Sequence, residues 1–136
     1  MIIYTDVVCD LFHSGHVLLF KNIKNKYPDS QLYVGLMSDN DCKIYKREPV
    51  YNIEDRLIII QSIKYVDSVI KNATMPITDE FIKKYDINLV IRGNDISKES
   101  ENYWYEIPIK NNIYEKMLYT SHISTSEIIE KIKLNY

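Results

Sequence analysis

Glycine is scarce: 136 residues hold only three, Gly15, Gly35 and Gly93. A chain so poor in glycine has no Gly-rich loop, and each glycine is expected where backbone turns sharply or approaches a ligand closely. Cysteine is scarcer still, Cys9 and Cys42 alone, with no metal-ligand spacing around them. That excludes a disulfide scaffold and fits a reducing compartment. No apolar run approaches the roughly 20 residues of a membrane span, and the N-terminus has no secretory pattern, so a cytoplasmic protein off the membrane is expected. An excess of positive charge is also missing: the formal net charge is −2. This argues against a general nucleic-acid binder but leaves room for a small basic pocket.

What is present is a soluble globular composition, 46% hydrophobic and 26% charged, of a length suited to one domain over residues 1–136. Apolar, β-branched runs at Ile2–Cys9, Gln31–Met37, Val66–Ile70, Asn88–Ile91 and Lys116–Tyr119 read as strands. Helical spacing marks Gly15–Lys26, Ile53–Tyr65 (capped by Asn52), the stretch from Thr78 to Tyr85, and Ser124–Leu134. Ser38–Pro49 reads as a polar, basic loop, and Asn94–Asn112 as part loop, part helix. Buried strands alternating with helices imply an α/β fold, a doubly wound three-layer sandwich on a parallel sheet of about five strands. Ligands of such sheets sit beyond the carboxyl ends of the strands.

Asp10-Leu11-Phe12-His13-Ser14-Gly15-His16 follows the first strand and opens the first helix. Unpaired N–H groups and the helix dipole there favour an anion, and His13 and His16 can donate to phosphate oxygens. The histidine pair could also begin a metal site, but no third ligand is evident. Lys43, Lys46 and Arg47 form a basic loop whose plain reading is a solvated surface. Arg56 beside Glu54 and Asp55 reads by itself as a surface ion pair. Gly93-Asn94-Asp95 is an ordinary turn by composition, placed at a strand's carboxyl end. Ser124-Thr125-Ser126 before Glu127 is a helix cap that can also hold phosphate.

The first of these segments resembles the His-x-Gly-His signature of the cytidylyltransferases, above all the choline-phosphate and ethanolamine-phosphate enzymes. The likeness continues through Val34–Asp39, Asn52–Arg56, Lys64–Asp67, Arg92–Ile96 and Ile123–Ile129. It implies a Rossmann-like nucleotidyltransferase fold and transfer of CMP from CTP to a small phosphorylated alcohol, with release of pyrophosphate. Ethanolamine phosphate ranks first as acceptor, ahead of choline phosphate and glycerol 3-phosphate. By resemblance His13, His16 and Lys46 stabilise the phosphates, and Asp10 sits near the acceptor or orients a histidine. Val8, Cys9, Gly15, Arg56, Arg92, Asp95, Ser124 and Thr125 contact the nucleotide. Mg²⁺ is expected on the triphosphate with no protein metal cage, and a homodimer is expected around Lys64–Asp67. The chain ends without the long amphipathic membrane helix of regulated choline-phosphate enzymes, so constitutive soluble behaviour is expected.

Four departures stand against the pattern. Val7 replaces a glycine before the signature. Tyr119 stands where the family has an arginine on CTP, and His122 replaces a glycine. Met75 replaces a tryptophan suited to a quaternary ammonium. They leave three readings: CTP held by other groups such as Tyr119 or His122, a changed nucleotide such as ATP, or a catalytically weakened binding relative.

Overall fold

The computed structural model describes residues 1–118 and 123–136. Five strands form one sheet: β1 (Ile2–Val7), β2 (Gln31–Leu36), β3 (Ser68–Lys71), β4 (Leu89–Gly93) and β5 (Tyr114–Met117). Their order is β3-β2-β1-β4-β5 and every pairing is parallel. Parallel strands need crossover helices, which cover both faces and require apolar residues on both. The sequence meets that demand by alternation. Ile3, Leu32, Val34, Leu36 and Ile91 point into one core with Leu19, Phe20, Ile23 and Ile60. Tyr4 and Val90 point into the other, with Ile70, Ile77, Phe81, Ile87 and Tyr105. The first core is roofed by α1 (Ser14–Lys26) and α3 (Ile53–Gln61), the second by α4 (Asp79–Lys84). This is the expected three-layer architecture. Strand order reverses at β1, so a crevice opens beyond its carboxyl end.

Several boundaries differ from the sequence reading for local reasons. Ser38–Pro49 is not a plain loop: α2 runs over Asp39–Tyr45. Ser38 Oγ accepts from the Asp41 N–H, Asp39 and Asp41 occupy the first turn, and Cys42 is the buried anchor. Helix α3 stops at Gln61 rather than Tyr65. Asp67 draws the next segment toward the sheet, accepting from Leu32 N at 2.7 Å and Lys24 Nζ at 2.7 Å. Asn94–Asn112 holds two short helices, α5 (Lys98–Trp104) and α6 (Glu106–Lys110). The last strand lies earlier than expected, pinned by Tyr114 Oη–H to Glu101 at 2.8 Å and by Glu115 accepting from Tyr27 Oη at 2.6 Å. Tyr119, with which it was expected to end, lies outside the described residues, as does His122. The closing helix, α7, spans Thr125–Asn135.

No glycine among the described residues has a positive φ. Gly35 is glycine for a different reason than a turn: a Cβ there would sit 2.0 Å from Tyr4 Oη. The left-handed conformations near the crevice fall instead on Cys9 (φ 54°) and Leu11 (φ 46°). Both flank Asp10, the kind of backbone strain that surrounding structure must hold in place.

Candidate active site

The crevice at the end of β1 is a cavity of about 250 Å³. Its walls come from the segment after β1, the start of α1, the end of α2, the turn after β4, the end of α5 and the start of α7. Of the sequence candidates it gathers Val8, Cys9, Asp10, His13, His16, Lys46, Arg92, Asp95, Ser124 and Thr125.

The histidines form a reciprocal cap on α1. His13 Nδ1 accepts from the Gly15 N–H at 3.1 Å, and His16 Nδ1 accepts from the His13 N–H at 3.2 Å. Each neutral ring therefore carries its proton on Nε2. The rings stack at 3.8 Å between centroids. Burial, reinforced by the His13 ring, lowers His16 from an ordinary 6.5 to about 3. The pair is a fixed, neutral hydrogen-bond donor at the positive end of a 13-residue helix. Gly15 contributes the backbone N–H that orients His13.

Across the cavity stand the end of α2 and the start of α7. Lys46 Nζ donates to Ser126 Oγ at 3.0 Å, and Arg47 Nη1 reaches the same oxygen at 3.3 Å. Ser124 Oγ caps α7 by accepting from Glu127 N at 3.1 Å. Thr125 Oγ1 donates to the Asp10 carbonyl at 2.5 Å, closing the two walls on each other. Two cations, two hydroxyls and a second helix N-terminus thus face the histidines. Arg47 and Ser126 were named from sequence only as members of the basic loop and of the Ser-Thr-Ser cap, without a role of their own. Lys43 is exposed and does not line the cavity.

Two assignments change. Asp10 neither orients a histidine nor presents a carboxylate to an acceptor. Its oxygens accept from the N–H groups of Leu11 (3.1 Å), Val50 (2.8 Å) and Tyr51 (2.9 Å). It is a positioning residue that holds the loop before α3 against the signature. Arg56 does not line the cavity either. Its side chain is fully buried, and its guanidinium donates to the carbonyls of Val8 (2.9 Å), Met37 (2.9 Å) and Tyr51 (3.1 Å) and to Asp39 Oδ1 (2.6 Å). With those donors spent on backbone, it builds the floor of the site rather than binding phosphate. Cys9 is also structural: buried at 2% exposure, its thiol is pushed far above the ordinary range by burial.

Sequence reasoning reached the inner end of the cavity only at Arg92 and Met75 and missed Asp6, Trp104 and Tyr105. Asp6, Arg92, Trp104 and Tyr105 meet there with Met75. Met75 does occupy the position expected to lack an aromatic, but Trp104 supplies an aromatic wall from α5. An acid inside an apolar strand, Asp6, was the available signal. Among the described residues, no group of three or more His, Cys, Asp or Glu is arranged to hold a metal, and no helix is long and apolar enough to cross a membrane.

Fold and site together define an α/β domain with its crevice at the carboxyl ends of a parallel sheet. The model of the cytidylyltransferase-like family matches residues 8–131, and the chain belongs to that family. It is 34% identical over 135 residues to choline-phosphate cytidylyltransferase A of Rattus norvegicus and of Homo sapiens, covering 98% of this chain and 37% of each relative. It is 32% identical to ethanolamine-phosphate cytidylyltransferase of Arabidopsis thaliana, covering 99% of this chain and 33% of that protein. The chain thus spans about a third of the length of these relatives. Among solved structures, the lipopolysaccharide core biosynthesis protein of Thermoplasma volcanium superimposes with a TM-score of 0.66 at 23% identity, over 87% of this chain and 93% of that one. That likeness concerns the fold.

Two outcomes follow from this geometry. Arg56→Met should cost about 2–4 kcal/mol, because it leaves the carbonyls of Val8, Met37 and Tyr51 without their donor. Arg56→Lys should not restore it, since one ammonium cannot span four acceptors. Urea unfolding measures both, and a loss below about 1 kcal/mol would contradict the assignment. His16 should remain an Nε2–H neutral ring from pH 8 to pH 5 in ¹⁵N-edited NMR. Its folded form takes up a proton later than the unfolded chain does. Its contribution to stability is therefore complete above about pH 6.5 and falls as pH drops toward about 3.

Proposed function

We propose that this crevice binds CTP and transfers CMP to the phosphate of a small phosphorylated alcohol, releasing pyrophosphate. The observation that carries this reading is the double histidine cap, two neutral Nε2–H donors fixed at one helix N-terminus and opposed by Lys46, Arg47 and the start of α7. Family membership and the names of the relatives support the same chemistry.

A phosphate oxygen of the acceptor attacks the α-phosphorus in line, a new P–O bond forms, and the bond to the β-phosphate bridging oxygen breaks. The acceptor is already an anionic nucleophile, so no protein nucleophile is required. The residues contribute position and charge. His13 and His16 donate to the phosphate oxygens without a proton being transferred. Lys46 and Arg47 would lie against the negative charge gathered where two anions are pressed together, and Thr125 and Ser126 hold that wall in register. The neutral His16 donor suits this task because its strength is independent of pH near neutrality.

Mg²⁺ fits as a passenger of the triphosphate. It prefers oxygen ligands and retains several waters, while the Asp10 carboxylate is committed to backbone N–H groups. Asp95, exposed at the rim, would be the carboxylate to hold a phosphate-bound cation, which would supply charge neutralisation at the leaving group. The reading also includes a homodimer, which rests on resemblance. Ethanolamine phosphate, ranked first from the turn after β4, is weighed below against the charges at the inner end of the cavity.

Pyrophosphate release with Mg²⁺, comparing CTP with ATP across ethanolamine phosphate, choline phosphate and glycerol 3-phosphate, tests the proposal. Release with CTP and at least one acceptor is expected. His16→Ala should lower kcat about 10²-fold or more in a protein that still folds cooperatively, its melt lowered only by the loss of a cap. Near-normal turnover by that variant would sink the role given to the cap.

A further inference from the structure

The inner end of the cavity carries a charge pattern that bears on the acceptor. Asp6, the last residue but one of β1, is 6% exposed, and its Oδ1 accepts the Tyr105 Oη–H at 2.6 Å. Tyr105 Oη in turn accepts from Arg92 Nη1 at 3.1 Å. The Arg92 guanidinium also lies over the Tyr105 ring, 5.6 Å from its centroid. All three residues line the cavity.

This arrangement disfavours a cationic head group in two ways. A buried carboxylate alone would be an ammonium site, but Asp6 is already matched by a guanidinium one hydroxyl away. An incoming ammonium would be attracted by Asp6 and repelled by Arg92. The cost of stripping its water would then not be recovered. The Tyr105 ring that could hold a quaternary ammonium by cation–π attraction carries Arg92 instead. The other nearby charge, Asp95, is exposed and screened by water.

The same corner offers a hydrogen-bonding group. Arg92 Nε is buried without a partner, and Arg92 lines the cavity. A guanidinium N–H is a donor only, and a buried donor left unpaired is costly unless something accepts from it. An alcohol hydroxyl can accept it and an ammonium cannot, and Trp104 and Met75 would cover the carbons beside it.

Resting on the nucleotidyl-transfer reading, we infer that Arg92 sets acceptor specificity: by neutralising Asp6 it selects a phosphorylated alcohol whose remaining groups are uncharged hydroxyls over one bearing an ammonium. This reverses the ranking of acceptors drawn from resemblance, which placed ethanolamine phosphate first.

The test compares glycerol 3-phosphate with ethanolamine phosphate in the wild type, Arg92→Met and Arg92→Lys, by pyrophosphate release with CTP and by calorimetric binding. Wild-type kcat/KM should favour glycerol 3-phosphate by about tenfold or more, the scale on which unpaired polar groups discriminate. Arg92→Met should abolish or invert the preference by exposing Asp6, and Arg92→Lys, which keeps the charge, should retain much of it. Equal or better use of ethanolamine phosphate by the wild type overturns the inference and leaves the transfer reading standing. An unchanged preference in a folded Arg92→Met also overturns it, and if that variant does not fold, the wild-type preference decides. Silence with every acceptor would instead count against the transfer reading. Binding then decides the inference: tighter glycerol 3-phosphate supports it, and tighter ethanolamine phosphate, equal binding or no binding overturns it.

Discussion

The Arg56 guanidinium is the interaction on which the rest of the site depends. It joins the carbonyl after β1, the carbonyl after β2, the loop before α3 and the first turn of α2. Those four pieces have no reason to converge by hydrophobic packing, since each presents polar backbone at the end of a strand or helix. A buried arginine with several fixed donors satisfies those carbonyls at once, and its own charge is matched by Asp39. Asp10 does the converse a short way off, collecting backbone N–H groups from its own segment and from the loop before α3. Between them the two side chains hold a left-handed, strained turn at Cys9 and Leu11, and that turn delivers His13 to the head of α1.

With this floor in place the phosphate region needs few functional groups. One wall is neutral and directional, the histidine cap. The other is charged and more exposed, Lys46 and Arg47. The division suits a reaction between anions. Fixed dipoles at helix ends stabilise charge without reorganising, whereas surface cations are screened by water until a ligand excludes it. Thr125, hydrogen-bonded to the Asp10 carbonyl, joins the two walls.

The layered sheet was legible because its cause is local. A parallel strand buried on both faces must be continuously apolar, and Ile2–Val7 and Gln31–Leu36 are nearly so. The signature at the head of α1 was legible because the cap, the glycine and both histidines lie within one helical turn. Helix α2 was misread as a loop although Ser38, Asp39 and Asp41 are the residues of a helix start; its polar, basic composition masked them. Arg56 was misplaced for a different reason. Beside Glu54 and Asp55 it looks like a surface residue, and only the loop folding over it shows otherwise. The inner corner was illegible because it is assembled from the far ends of the chain. Asp6 and Tyr105 are 99 positions apart, and no local pattern ties them together. The departures at Tyr119 and His122 concern residues outside those described.

The most direct measurement is a crystal structure of the protein soaked with CTP and Mg²⁺. The account expects the triphosphate between the head of α1 and the head of α7, with Nε2 of His13 and His16 on its oxygens, Lys46 beside the α-phosphate, and Arg56 still on the carbonyls of Val8 and Met37. A triphosphate bound elsewhere, or in the crevice without contact to either histidine, would contradict it.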